Sequence, residues 1–308
     1  MKAVNILILF FLLCALGISL FILWENLPGQ TEEFKSIGVD EKMQNVYTNG
    51  MQFYPNLRYS DKKISYSISQ GCAGKKEKYV IDTFYLLSEK TILDFYETPD
   101  KGEIEILCSE IAPSSENKDH FIAGEGGPSE IVDTGLFYVI LSGKVSLFRE
   151  EKCKEPKISL HEILHALGFD HNNNPKSIMF PITSCDEQID QDIIDEINRL
   201  YSTESAPDLA IIKASANKNG RYLSFDANVA NQGLKDVKDA SLSLYANNEK
   251  IKEFELESIS VGLRKTISVE NVKIPSNTHT IQLVIGSVDN AKEISLDNNK
   301  IELGIVQT

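Results

Sequence analysis

Three histidines and a glutamate fall within one short stretch of this chain, His161-Glu162-Ile163-Leu164-His165-Ala166-Leu167-Gly168-Phe169-Asp170-His171. On a helix, positions four apart share one face, so His161 and His165 can present imidazole nitrogens to a single ion. Glu162 lies beside that ion without ligating it, where a general base belongs. Gly168 can end the helix in a left-handed turn and return His171 as a third nitrogen ligand. Three neutral imidazoles leave the fourth position of a tetrahedral zinc ion open to water, the layout of a catalytic site rather than a closed structural one. The bland alternative is an amphipathic core helix with two solvated histidines. Ile163, Leu164 and Leu167 supply the core face that either arrangement needs.

At these residues the chain resembles the metzincin metallopeptidases, whose extended motif is H-E-x-x-H-x-x-G-x-x-H. Ser177-Ile178-Met179-Phe180-Pro181 resembles the Met-turn of their matrixin-like branch, of the prokaryotic or archaeal type. The resemblance implies one catalytic Zn2+ on His161, His165 and His171, with Met179 as an apolar floor beneath them. It implies a zinc metalloendopeptidase acting on a protein or peptide, with Glu162 as the base. Phe180, Pro181 and Ile182 would then line the pocket for the side chain after the cut, continuing towards Cys185. Pro181 stands where the astacin- and serralysin-type branches carry a tyrosine ligand, so that ligand is absent. No cysteine lies between Glu25 and Ser60, which removes the cysteine-switch latency of many matrixins. Only His120 precedes the active helix, so the second, structural zinc of animal matrixins has no histidine set, and His120 reads as a loop residue. Asp170 either orients the turn before His171 or is simply exposed.

The surrounding elements must hold this centre. Residues 62–69 alternate polar and apolar and read as a half-buried strand. Residues 76–96 carry Val80, Phe84, Leu87, Ile92 and Phe95 at near-helical spacing, the pattern of one long amphipathic helix. Residues 103–111 alternate again. Residues 121–128, with Gly124, Gly126 and Gly127, read as a strand edge breaking into a loop, and residues 137–148 as a strand pair or one bulged strand. The zinc helix spans about 159–168. Ser184 and Glu187 have capping-box spacing ahead of a helix with Ile189, Ile193, Ile194, Ile197 and Leu200 on its buried face. This order resembles an α+β metzincin catalytic domain over residues 58–202.

Residues 6–24 are uncharged and almost wholly apolar, close to the ~20 residues a bilayer-crossing helix needs. Residues 1–25 therefore read as a signal anchor or transmembrane helix. With Lys2 inside and Glu25, Glu32 and Glu33 outside, it makes a single-pass cell-membrane protein whose N-terminus is cytoplasmic and whose bulk is extracytoplasmic. The alternative is a secreted protein after signal cleavage, although no small-residue cleavage site follows the apolar run. Residues 26–57 are a linker or short prosegment. Cys14 belongs to the apolar segment. Cys72, Cys108, Cys153 and Cys185 remain outside it, an even number that implies two disulfides in an oxidising compartment. Of three pairings, Cys72–Cys108 with Cys153–Cys185 is preferred. The second bond would brace the pocket wall; a second metal site is the rival, without any C-x-x-C spacing. A net charge of −14 excludes nucleic acid as a partner, because phosphate binding needs a basic face.

Residues 203–207 form a polar linker with a proline. Residues 207–308 then read as short strands separated by Asn- and Gly-rich turns, an all-β immunoglobulin-like sandwich. They resemble the CARDB modules: Pro207-Asp208-Leu209 opens the segment, Asn231-Gln232-Gly233 supplies an N-x-G turn, and Asp297-Asn298-Asn299 precedes the last strand. Such a module is either a passive spacer or holds a surface ligand, and its single histidine, His279, reads as a solvated loop residue. Two rival functions follow. One is a cell-surface binding or adhesion protein acting through the sandwich, which an intact Glu162 argues against. The other is a zinc amidase on a non-protein polymer, which needs the same four residues.

Overall fold

A computed structural model describes residues 2–26, 31–36, 50–113, 122–287 and 292–305. Helix α1 (Lys2–Asn26) opens the chain, and its described side chains, from residue 9 to residue 23, are exposed. Among the described residues no helix is long and apolar enough to cross a membrane. Strand β1 (Thr31–Ser36) follows. His120 and residues 37–49 of the segment read as a linker lie outside the described residues.

The first domain is built from β2 (Leu57–Tyr59), β3 (Lys63–Ile68), α2 (Lys75–Lys90), β4 (Asp94–Glu97), β5 (Ile104–Cys108), β6 (Gly124–Asp133), β7 (Tyr138–Leu147), α3 (Lys157–Ala166) and α4 (Gln191–Ser202). Its sheet has the order β2-β7-β5-β3-β4 with parallel neighbours, and β6 pairs antiparallel on β7. Since β2 and β5 both pair with β7, β6 takes its other side and forms the edge. Alternating apolar residues of β3, β5 and β7 (Ile64, Ile106 and Val145 among them) meet Phe84 and Leu87 of α2 and Ile163 and Leu164 of α3 in one core. Buried Arg58 ties β2 to the end of α4, donating from Nη1 to the carbonyl oxygens of Leu200 and Thr203, so a cation caps the negative end of that helix.

Three local expectations fail. The predicted helix over 76–96 stops at Lys90, where Thr91 turns extended and its Oγ1 accepts the Leu93 N–H; Phe95 then lies in β4, whose neighbour is β3. The glycines near 126 do not end a strand, because β6 runs through them to Asp133. Residues 137–148, by contrast, hold the single strand β7, and it is bulged, one of the two forms expected: Leu141 is its extra residue between the pairs Glu130–Ser142 and Ile131–Ile140, while Ser129 is the extra residue of β6. Ser184 and Glu187 make no capping box. The helix starts at Gln191, and residues 184–190 are held instead by backbone bonds, Gln188 N–H to Lys176 O and Ile178 N–H to Gln188 O.

The second domain consists of β8 (Leu209–Asn219), β9 (Tyr222–Asn231), β10 (Val237–Ala246), β11 (Glu249–Ile259), β12 (Arg264–Lys273), β13 (Thr280–Ser287) and β14 (Lys300–Ile305). Its antiparallel order is β11-β10-β13-β14-β1-β8-β9-β12. The strand between β14 and β8 thus comes from ahead of the first domain. Phe34 of β1 is fully buried in the second core with Leu209, Phe225, Leu242, Leu283 and Ile301.

Candidate metal centre

Helix α3 begins without a side-chain cap at Pro156. The Glu151 carboxylate, six residues upstream, accepts the N–H groups of Lys157 and Ile158 through Oε1 and so satisfies two orphan donors of the first turn. Burial pushes the Glu151 carboxyl up, against these bonds and the nearby Lys75. At the other end Gly168 has φ +99°, and a Cβ there would stand 2.7 Å from Leu57 Cδ2, so position and conformation both require glycine.

The turn after Gly168 is held from an unexpected side. Residues 51–53 run along it: Phe53 N–H donates to Gly168 O at 3.0 Å and Asp170 N–H to Met51 O at 2.9 Å, with Gln52 and Phe169 paired between them. The Phe53 ring stacks on His165. Asp170 Oδ1 accepts the backbone N–H of His171 at 2.7 Å, so it orients the turn although it is exposed.

The three imidazoles converge. His161 Nδ1 faces Ile178 O at 2.6 Å and His165 Nδ1 faces Phe169 O at 2.7 Å. Each carbonyl can only accept, which fixes the proton on Nδ1 and leaves the Nε2 lone pair free. The Nε2 atoms of His161 and His165 are 3.0 Å apart, and each is 3.1 Å from His171 Nε2. Lone pairs facing one another at this spacing repel unless a cation lies among them, and such a triangle can share one zinc ion through bonds of about 2.0–2.1 Å. The triad is the one His/Cys/Asp/Glu group of this kind among the described residues. Burial lowers His161 to about 4 and lowers His165 also, which keeps both neutral as ligands.

Met179 is fully buried in the turn below. Ser177 Oγ accepts the Met179 N–H at 3.0 Å and the Asn172 amide at 2.7 Å and donates to Asp190, and Asn172 N–H bonds Met179 O. This network places the Ile178 carbonyl under His161.

Glu162 is buried against β6. A Cβ at Gly124 would lie 2.6 Å from its Cγ, and one at Gly126 would lie 2.0 Å from its carbonyl oxygen. Burial, with Glu125 adding to it, pushes the Glu162 carboxyl up to about 8. A cation at the histidines favours the carboxylate and opposes that shift.

Cys153 is bonded to Cys185 and Cys72 to Cys108. The Cys153–Cys185 bond stands in the wall of a cleft of about 720 Å³ that Ala123, Phe148, Ile158, Thr183 and Ser184 also line. The stretch from Phe180 to Cys185 is expected from sequence to line the substrate pocket, and its second half lines this cleft. Phe180 is half-buried, Pro181 and Ile182 are exposed, and none of the three lines this cleft; the lining begins at Thr183. Sequence reading also missed the residue 51–53 strap, the Glu151 cap and the tight contact of β6 with α3. Only the last had a signal: glycines at 124 and 126 share one strand face, which marks a close approach.

Residues 58–202 match the matrixin family and residues 206–303 match the CARDB family, so the chain carries a matrixin domain followed by a CARDB domain. It is 24% identical over 203 residues to an interstitial collagenase of Oryctolagus cuniculus, covering 62% of this chain and 42% of that one. The chain thus spans less than half the length of this curated relative. Among solved structures, a CARDB domain of Pyrococcus furiosus in complex with di-metal ions is 16% identical, covers 34% of this chain and 92% of its own, and has a TM-score of 0.26. The hatching enzyme zinc-protease high choriolytic enzyme 1 of Oryzias latipes is 16% identical, covers 41% of this chain and 52% of its own, and has a TM-score of 0.25.

Proposed function

We propose that this protein is a zinc-dependent endopeptidase, anchored by α1 in a membrane with its two domains on the extracytoplasmic side. The observation that carries the reading is the convergence of three Nε2 atoms within 3.0–3.1 Å, two from a helix that also presents a buried glutamate and one from the turn after it. Zinc held there supplies a Lewis acid that polarises the scissile carbonyl and acidifies water towards pKa ~7. Glu162 removes the water proton and returns it to the leaving nitrogen. Its burial suits the second step, because a carboxyl that holds a proton readily is also a usable acid. The substrate lies extended along the outer edge of β6 and exchanges main-chain hydrogen bonds with it.

The anchor rests on α1. Leu9, Phe10, Phe11, Leu12 and Leu13 are consecutive and all exposed, so the helix is apolar around its whole circumference. In water such a surface is costly, and lipid satisfies it. The paired cysteines fit an oxidising compartment.

The full chain in detergent is assayed on an unfolded protein and on a cell-wall polymer, beside Glu162→Ala and a chelated sample. Protein cleavage by the native form alone is expected. Cleavage of the polymer and not the protein would transfer the reading to the amidase, and activity that survives Glu162→Ala would remove Glu162 as base. Extraction of the full chain from vesicles by high-pH carbonate would refute the anchor.

A further inference from the structure

The N-x-G turn of the second domain has a structural use that neither a spacer nor a ligand module requires. Asn231 is fully buried, and its Nδ2 donates to the Lys235 and Ile259 carbonyls at 2.7 and 3.1 Å. Its Oδ1 accepts from Gly233 N–H at 3.1 Å and Asp208 N–H at 3.2 Å. All four bonds serve to hold residues 231–235 as a fixed ledge. Gly262, at φ +73°, joins the ledge by donating its N–H to Asn231 O at 3.0 Å.

The tip of the β6–β7 hairpin sits on this ledge. Buried Thr134 donates from Oγ1 to Gln232 O at 2.8 Å. A Cβ at Gly262 would stand 2.3 Å from Val132 Cγ1 and 3.1 Å from Asp133 O, and one at Gly135 would stand 2.8 Å from Gln232 Nε2. The two domains therefore meet at backbone distance at the end of the edge strand. The Lys235–Asp61 pair at 3.6 Å and the Ser205 Oγ bond to Ser60 O at 2.7 Å flank the contact.

The other end of β6 is the glycine segment pressed on Glu162. Between the two ends the pairing with β7 shifts register at Pro128–Glu130 and Glu130–Ile131. A bulged edge strand is weakly specified by its single neighbour, so what fixes its ends sets its course. We propose that the sandwich is a buttress: its N-x-G ledge and Gly262 hold the far end of β6, and thereby set the position of the substrate edge against α3. The inference rests on the reading of β6 as that edge. Gly262, Gln232 and Thr134 are positioning residues; none touches the reacting atoms.

The test uses the full zinc-loaded chain. In Gly262→Ala, the amides of residues 124–127 should exchange with solvent about tenfold faster, since the new methyl displaces Val132. KM for an extended peptide should rise roughly tenfold, with kcat within about twofold of the parent. Adding Val132→Ala removes the nearest atom that the methyl meets, leaving the Asp133 carbonyl at 3.1 Å, and should restore most of both; strain confined to the sandwich would not be relieved this way. Unchanged exchange at 124–127, or a change that Val132→Ala leaves in place, overturns the buttress. Where Gly262→Ala unfolds the sandwich, Gln232→Ala, which trims the side chain beside Gly135, carries the same comparison. Should the parent hydrolyse no peptide, the peptidase reading falls while the exchange data still decide the buttress.

Discussion

The ring of Phe53 lies stacked on the imidazole of His165, with centroids 5.7 Å apart and planes inclined by 24°. Phe53 precedes the matrixin-matching segment, yet its backbone and its ring both bear on a zinc ligand. The ring covers one face of His165, and the N–H fixes the Gly168 carbonyl at the start of the turn to His171. Phe53→Ala should keep the backbone pairing and lose the cover. Groups that orient ligands typically change metal affinity about 10–100-fold, and a loss near the lower figure is expected here. Competition with a chromophoric chelator measures it; an affinity equal to the parent's would show that the stacking has no part in holding zinc.

Gly126 has no room for a side chain. A methyl there would overlap the Glu162 carbonyl, which is backbone and cannot swing aside. Gly126→Ala should push β6 off α3 and cost about 1–3 kcal/mol in the unfolding of the first domain, the usual range for overpacking. Gly127, with open space at its Cβ, is the control, and Gly127→Ala should be close to neutral. Equal denaturation midpoints for the two variants would contradict the close approach.

What the sequence disclosed and what it hid divide along physical lines. The metal ligands are legible because helical spacing and one glycine turn fix their geometry locally, within His161 to His171. That the four cysteines form two disulfides follows from compartment and even number, though the choice among three pairings does not, and the sandwich strands follow from period-two alternation. The expected pocket lining ran from Phe180 to Cys185, and Thr183, Ser184 and Cys185 of that stretch stand in the cleft wall that the Cys153–Cys185 bond closes. The helix over 76–96 ran too long because Ile92 and Phe95 continue its apolar spacing, while Thr91 ends it through a local bond that spacing does not show. The strap at 51–53 and the strand at 31–36 were invisible because their partners lie more than a hundred residues away.

Phe34 makes that last point testable. It pairs across to Ala216 on one side and Ile305 on the other, and Glu32 beside it reaches buried Lys218 at 3.0 Å. If β1 is a strand of the sandwich, Phe34→Ala should destabilise the second domain, by about 3–5 kcal/mol for a fully buried ring, and leave zinc binding alone. Thermal unfolding monitored separately in each domain would show it. An unchanged sandwich transition would mean that residues 31–36 add nothing to that core.

The acid behaviour of the sandwich follows from two carboxyls, one buried and one half-buried, that knit β8 to the loop before β14. Asp208 accepts Ser295 N–H at 2.9 Å and the Asn298 amide at 3.0 Å, while Glu293 accepts Leu209 N–H at 2.5 Å and the Asn299 amide at 2.9 Å. Burial outweighs these bonds and raises both, and Asp208 raises Glu293 further. A group raised on folding holds its proton more tightly in the folded chain. Its contribution is therefore complete below the ordinary carboxylate value of about 4, and is lost as pH rises through the raised one. Asp208→Asn removes this linkage at one site. The replacement is accommodated because Asn298 Oδ1 is buried without a hydrogen-bond partner, so that amide can turn and accept from the new one. The stability of the parent relative to Asp208→Asn should rise as pH falls from 7 towards 4, read as the gap between their urea midpoints. A gap that stays constant or widens in favour of the variant in acid would mean that the folded Asp208 is not raised.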